Sequence, residues 1–275
     1  MCPMEDIQSH GDDRGIALEK VGVSDLTYPI TVLDRSREKQ ETVANLSLSV
    51  DLPHHFRGTH MSRFIEVLEA FRGEITLRTI PLLLKNIRER LEAECAHVEV
   101  AFPYFLERSA PVSGAKALMR YHCRFNAEVK GGEDDFVVGI QVPVTSLCPC
   151  SKAVSDYGAH NQRGYIDIEI RTRKTDDGSP EIVWFEELIE IAESSASAPV
   201  YPLLKREDER HVTMLAYDNP VFVEDIVRIL AKKLMLDNRV VWFRARADNH
   251  ESIHDHNAFA QVSWQRGPAV EAAKG

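Results

Sequence analysis

The sequence predicts an α+β fold made of two tandem ββααββ-like modules, each an antiparallel sheet with helices on one face. Three observations lead there. Apolar residues alternate with polar ones at period two in several stretches, the mark of half-buried strands. Between those stretches apolar residues recur at helical spacing. The order of element types then repeats after the turn Lys130-Gly-Gly-Glu-Asp-Asp135, as expected of a duplicated unit.

Residues 1–24 show no sustained periodicity and are expected to form a mobile N-terminal arm. The first module is placed at 25–132. Leu26 to Asp34 reads as extended, and Leu46, Leu48, Val50 and Leu52 alternate with Asn45, Ser47, Ser49 and Asp51. Phe64, Leu68 and Phe71, then Ile80, Leu84, Ile87 and Leu91, predict two helices. Val98, Val100 and Phe102 return to period two. The row Ala117, Met119, Tyr121, Cys123, Phe125, Ala127 and Val129 is the clearest strand.

The second module is placed at 133–267, with a tail at 268–275. Phe136 to Leu147 and Ile166, Ile168 and Ile170 supply its first strands, and Trp184, Leu188, Ile189 and Ala192 a helix. Asn219-Pro220 reads as a helix start, a capping residue followed by proline at the first helical position. Phe222, Val223, Ile226, Leu230 and Leu234 give that helix its apolar face. Strands Val241 to Ala247 and Ala258 to Trp264 end the fold.

With 275 residues the chain can bury a sizeable core, and 44% hydrophobic with 28% charged residues is ordinary for a soluble globular protein. The net charge of -10 argues against nucleic acid or an anionic membrane as partner, so an anionic ligand needs a local basic pocket. Met1 to Val23 has neither a basic start nor an apolar segment, and no apolar run reaches spanning length. A cytoplasmic address is expected. Five cysteines, an odd number in such a compartment, read as free thiols or metal ligands.

Two of them, Cys148 and Cys150, flank Pro149 where an apolar strand ends, and His160 lies twelve residues beyond Cys148. A sulfur and an imidazole nitrogen suit a zinc-like ion, but from spacing alone a packing role is equally good. Cys95 and Cys123 read as core. A third ligand has several candidates in the run Lys205 to His211, which by itself reads as a solvated charged loop. Glu224 falls in the first turn of a helix, where a carboxylate also simply favours the dipole. The segment Asn249 to His256 packs three histidines and two acids into eight residues, a density suited to proton transfer. Arg57, His60, Arg63, Lys152, Arg163, Lys205 and Arg206 are candidates for holding phosphates. Neither a Walker loop nor a dinucleotide fingerprint occurs.

The stretches V-P-V-T-S-L-C-P-C-S-K, G-A-H-N-Q-R-G, L-L-K-R-E-D-E, N-P-V-F-V-E-D-I-V-R and E-S-I-H-D-H closely resemble the prokaryotic type IB GTP cyclohydrolase I, the second type of folate-pathway GTP cyclohydrolase. The resemblance runs from about Leu26 to about Trp264. It implies the tunnelling fold, with two modules per subunit, and a homotetramer with active sites at subunit interfaces. It implies conversion of GTP and water to 7,8-dihydroneopterin triphosphate and formate, feeding folate or modified-tRNA synthesis. By position it makes Cys148, His160 and Glu209 ligands of one divalent metal, zinc, manganese or iron. Cys150 becomes a substrate-side thiol, Glu224 the grip on the guanine edge, and Glu251 and His254 acid/base or orienting groups. Two alternatives stand beside it: another tunnelling-fold enzyme acting on a pterin or purine, and a metal-storage or metal-sensing protein.

Overall fold

A computed structural model of the chain describes residues 8, 11–71, 74–176 and 178–267. The expected tail at 268–275 lies outside these residues, as does nearly all of the arm up to residue 10. In chain order the elements are β1 (Leu18–Asp34), β2 (Glu38–Leu52), α1 (Met61–Ala70), α2 (Ile80–Leu91), β3 (Cys95–Ser109), β4 (Lys116–Lys130) and β5 (Glu133–Leu147). There follow α3 (Pro149–Val154), β6 (Asn161–Thr172), α4 (Phe185–Glu193), β7 (Ala198–Pro199), α5 (Arg206–Asp218), α6 (Val223–Leu236), β8 (Val240–Asn249) and β9 (Ala258–Gln265). The ββααββ order holds for the first module. In the second, α3, β7 and α5 are additions that periodicity did not indicate.

Spatial contacts group the chain into two compact units that differ from the sequential halves 25–132 and 133–267. Of the described residues, one comprises those up to Tyr104 with His122–Val138 and Lys174–Pro180; the other comprises Phe105–Tyr121, Gly139–Arg173 and those from Glu181 to Gly267. The long strands β3, β4 and β5 each contribute to both.

In the first unit β1 and β2 form an antiparallel hairpin running from Asp34↔Glu38 back to Leu18↔Leu52, with register shifts on either side of Gly22. A Cβ on Gly22 would lie 1.9 Å from the Leu48 carbonyl oxygen, so only glycine allows this approach. β1 begins at Leu18, inside the stretch expected as an arm, because its pairing with β2 satisfies that backbone. Phe64, Val67 and Leu68 of α1 and Ile80, Leu83, Leu84 and Ile87 of α2 are buried. The row Met119 to Val129 is buried at every second position as its alternation requires, Cys123 included, whereas Cys95 is half-buried.

In the second unit β6 pairs antiparallel with β8, and β8 with β9. Helix α6 packs against β8 and β9; its Ile226, Leu230 and Leu234 are fully buried, as are Phe243 and Ala245 of β8 and Ile166 and Ile168 of β6. Two expectations fail here for identifiable reasons. The charged run expected as a loop is the first half of α5: Asp208 turns inward and accepts the Lys205 backbone N–H (2.8 Å), the N–H groups of Val112 (2.8 Å) and Ser113 (2.9 Å), and the Ser113 hydroxyl (2.6 Å). Asn219-Pro220 does not start a helix. Asn219 caps the C-terminus of α5, its amide donates to the carbonyls of Ala196 (2.9 Å) and Ser197 (3.3 Å), and α6 begins at Val223 after Phe222.

Candidate active site

Three neighbouring strands of the second unit, β5, β6 and β8, carry apolar inward rows that each stop at a polar residue at the same end. On β5 the row Ile140, Val142, Val144 ends at Ser146; on β8 the row Phe243, Ala245, Ala247 ends at Asn249; on β6 Gln162 precedes Gly164, Ile166 and Ile168. All three polar side chains are buried, which is costly unless they are bonded. Asn249 donates from Nδ2 to Ser146 Oγ (3.0 Å), while among the described residues no donor reaches its Oδ1. Gly164 is the register partner of Asn249, and a Cβ there would meet Asn249 Oδ1 at 2.8 Å and Val144 Cγ2 at 3.2 Å. A glycine is therefore needed to seat the asparagine.

Above this polar floor lies a cavity of about 270 Å³ whose lining includes Cys148, His160, Glu224, Glu251, His254 and His256. The chain brings Cys148 and His160 together through its backbone. The Cys148 N–H donates to the His160 carbonyl (3.1 Å), the His160 N–H donates to Ser151 Oγ (3.2 Å), and Ser151 N–H points at Cys148 Sγ (3.4 Å). Pro149, at the start of α3, turns the chain so that Cys148 caps the helix and Cys150 stands exposed on it. His160 Nδ1 lies 3.0 Å from Gln162 Oε1, 3.5 Å from Ser252 Oγ and 4.0 Å from Glu251 Oε2. Glu224 enters from the first turn of α6, and the rings of His254 and His256 stack at 5.1 Å.

The structure thus gathers Cys148, His160, Glu224, Glu251 and His254, five of the residues singled out in the sequence. Glu209 is not among them: it is exposed in the first turn of α5 and does not line the cavity. Lys152 donates from Nζ to the Tyr217 carbonyl (2.5 Å) and stands 4.1 Å from the Tyr217 ring, so its charge serves the C-terminal end of α5. Lys205 and Arg206 are exposed at the start of α5. Arg57, His60 and Arg63 belong to the first unit, where His60 and Arg63 line a separate cavity of about 160 Å³ with Asp51 and Glu92.

The donors fit a metal of zinc type at two positions, the Cys148 thiol and the His160 imidazole, whose Nδ1 lies against Gln162 Oε1. Among the described residues no three His, Cys, Asp or Glu side chains stand together so as to hold an ion. Residue reading alone passed over Ser146, Gln162 and Asn249. The available signal was a polar side chain in an inward slot of an otherwise apolar alternation. Among the described residues no helix is long and apolar enough to cross a membrane.

A family model described as type I GTP cyclohydrolase folE2 matches residues 4–260. A GTP cyclohydrolase FolE2 of Syntrophotalea carbinolica is 51% identical over 98% of both chains, and that of Nitrosococcus oceani 47% identical over 96% of both. Among solved structures, uricase from Arthrobacter globiformis superposes with a TM-score of 0.54 at 10% identity, covering 94% of this chain and 95% of that one. Urate oxidase from Bacillus sp. TB-90 gives 0.53 at 12% identity, over 90% of this chain and 100% of that one. At such identities the likeness shows the fold alone, the antiparallel α+β tunnelling fold.

Proposed function

The chain belongs to the type I GTP cyclohydrolase folE2 family, and from that premise we propose that it is a cytoplasmic GTP cyclohydrolase of type IB, converting GTP and water to 7,8-dihydroneopterin triphosphate and formate. The observation that carries the reading is the single cavity shared by Cys148, His160, Glu224, Glu251 and His254. It combines soft metal donors, a carboxylate for a donor edge, and proton-transfer groups.

Glu224 presents two acceptor oxygens at the cavity wall, matching the paired donors N1–H and 2-amino of guanine. Held there, the base has its imidazole ring available to the other groups. Zinc, manganese or iron bound by Cys148, His160 and Glu209 would supply a water acidic enough to lose a proton near neutrality. Glu251 and His254 exchange protons with the ring nitrogens N7 and N9 as both bonds to C8 are hydrolysed and C8 departs as formate. The same pair serves the proton shifts at the ribose before the freed amine closes the pterin ring. Cys150 is exposed on α3 beside Cys148 and does not line the cavity; as the substrate-side thiol it would meet the part of GTP that extends out of it. The triphosphate would lie on Lys205 and Arg206, with Arg57, His60 and Arg63 contributing in a homotetramer whose sites form at subunit interfaces. The product would feed folate or modified-tRNA synthesis.

The test is to load the purified protein separately with zinc, manganese and ferrous iron, supply GTP, and measure formate together with a pterin that fluoresces after oxidation. Absence of both with every metal overturns the reading, and turnover of dihydroneopterin triphosphate instead of GTP would replace it with the second enzyme class. Cys148→Ala is expected to abolish metal binding, while Cys150→Ala keeps the metal and loses turnover. If both variants retain metal, the division between the thiols is wrong.

A further inference from the structure

We propose that Gln162 is a positioning residue that fixes the tautomer of His160, keeping the proton on Nδ1 and the lone pair on Nε2 for whatever binds in the cavity. Gln162 occupies an inward slot of β6, in line with Gly164, Ile166 and Ile168, and only 8% of its surface is exposed. An amide in an apolar row must recover its lost hydration through hydrogen bonds. Its Oε1 lies 3.0 Å from His160 Nδ1. An amide oxygen carries no hydrogen, so the ring nitrogen must be the donor, and in a neutral imidazole with Nδ1 protonated Nε2 is the acceptor.

The surroundings sharpen the argument. His160 is held at both ends of its peptide, by Cys148 N–H on its carbonyl and by Ser151 Oγ on its own N–H, so its backbone cannot follow a different ring orientation. Two other groups face Nδ1. Ser252 Oγ stands at 3.5 Å and, as a hydroxyl, can donate as well as accept; Glu251 Oε2 stands at 4.0 Å. Both are farther than Gln162, and both belong to the segment after β8, whereas Gln162 is two residues from His160 on a strand paired within the sheet. The rigid element thus sets the tautomer. A wrong tautomer would place a hydrogen on Nε2, where a cation needs a lone pair.

The inference rests on the metal reading above only for its use of Nε2; the tautomer itself can be observed without metal. The experiment uses the full chain with 15N-labelled histidine, His160 being assigned from a His160→Gln variant, and reads ring-nitrogen shifts of the neutral imidazole in metal-free protein. Zinc affinity is measured in parallel by competition with a chelating dye, and urea midpoints report folding. The wild type is expected to show His160 with protonated Nδ1 and bare Nε2. Gln162→Met, similar in shape but without the amide, should lose that signature and bind zinc roughly 10–100-fold more weakly. Gln162→Glu, which still accepts from Nδ1, should keep the signature and bind zinc within a few-fold of wild type. A packing role predicts the reverse order, with Met tolerated and Glu not. Wild-type protein that binds no zinc refutes the metal reading while leaving the tautomer measurement decisive. Wild-type tautomer and zinc affinity in Gln162→Met overturn the proposal, as does a wild-type His160 with its proton on Nε2.

Discussion

Replacing Gly164 by alanine sets two opposed effects against each other. Alanine restricts the unfolded chain, which by itself stabilises by about 0.4–1 kcal/mol where the native backbone tolerates it. Against this, the new Cβ would sit 2.8 Å from Asn249 Oδ1 and 3.2 Å from Val144 Cγ2, closer than carbon atoms settle without displacement. Asn249 is buried and tied to Ser146 by a 3.0 Å bond, so it has nowhere easy to go. Overpacking of this kind costs about 1–3 kcal/mol, and a strained or broken Asn249–Ser146 bond adds about 0.5–1.5 kcal/mol. The clash wins, with a net loss of roughly 2 kcal/mol. Urea midpoints of metal-free wild type and Gly164→Ala, compared at one protein concentration, measure it. Asn249→Ala combined with Gly164→Ala should cost less than the sum of the single changes, because the smaller side chain removes the contact. A Gly164→Ala protein as stable as wild type, or more stable, would refute the steric reasoning. Simple additivity in the double variant would refute the choice of Asn249 as the obstacle.

Other expectations concern ligand contact, pH and helix anchoring. Glu224→Gln keeps one acceptor but turns an amide N–H₂ toward a donor edge, so GTP affinity measured by calorimetry should fall by an amount on the order of 1.5–3 kcal/mol, roughly ten- to a hundredfold; affinity within twofold of wild type would remove Glu224 from the guanine site. Burial pushes the His97 imidazole below its ordinary value, with Glu128 at 3.3 Å pulling the other way. The unfolded chain therefore takes up this proton first as pH falls: the contribution of His97 is complete above about pH 6.5 and declines below it toward the folded pKa. Between about pH 7 and 5 the wild type should lose urea stability faster than His97→Gln, and parallel slopes would contradict the sign. Arg239 bonds to Asp237, to Glu187 (2.9 and 3.2 Å) and to the Ile182 carbonyl (3.0 Å). Arg239→Lys cannot reproduce that fork and should cost about 1.5–3 kcal/mol in denaturant titration, with an unchanged midpoint counting against the network.

Much of the fold could be read directly because its strands bury one face: Met119 to Val129 and Ile166 to Ile170 state their orientation in their alternation, and α6 its apolar stripe. Where burial is achieved by a polar side chain, periodicity carries no such message. Asp208 is inward through three hydrogen bonds to Val112 and Ser113, distant in sequence, and one to the N-cap of its own helix, so α5 looked like a solvated run. Asn219 has the composition of a helix start, yet its amide is committed to Ala196 and Ser197, contacts distant in sequence. Of the site, the chemistry-bearing residues were legible by type and by resemblance, while Gln162, Ser146 and Asn249 hid among strand residues.

The sequence by itself determined which stretches bury a face, that the chain is acidic with an odd number of cysteines, and which reactive side chains it owns, because these depend on residue type and local period. Tertiary structure alone decided which of them meet. Cys148 and His160 become neighbours through backbone bonds that close a twelve-residue excursion, and Glu224 and Glu251 arrive from elements that come 76 and 103 residues after Cys148. Glu209 and Lys152, equally attractive on paper, point elsewhere: one stays on the exposed side of α5 and the other is spent on that helix's end. Proximity between distant residues is set by packing of buried faces and by the pairing of backbone groups, and neither is written at any single position of the chain.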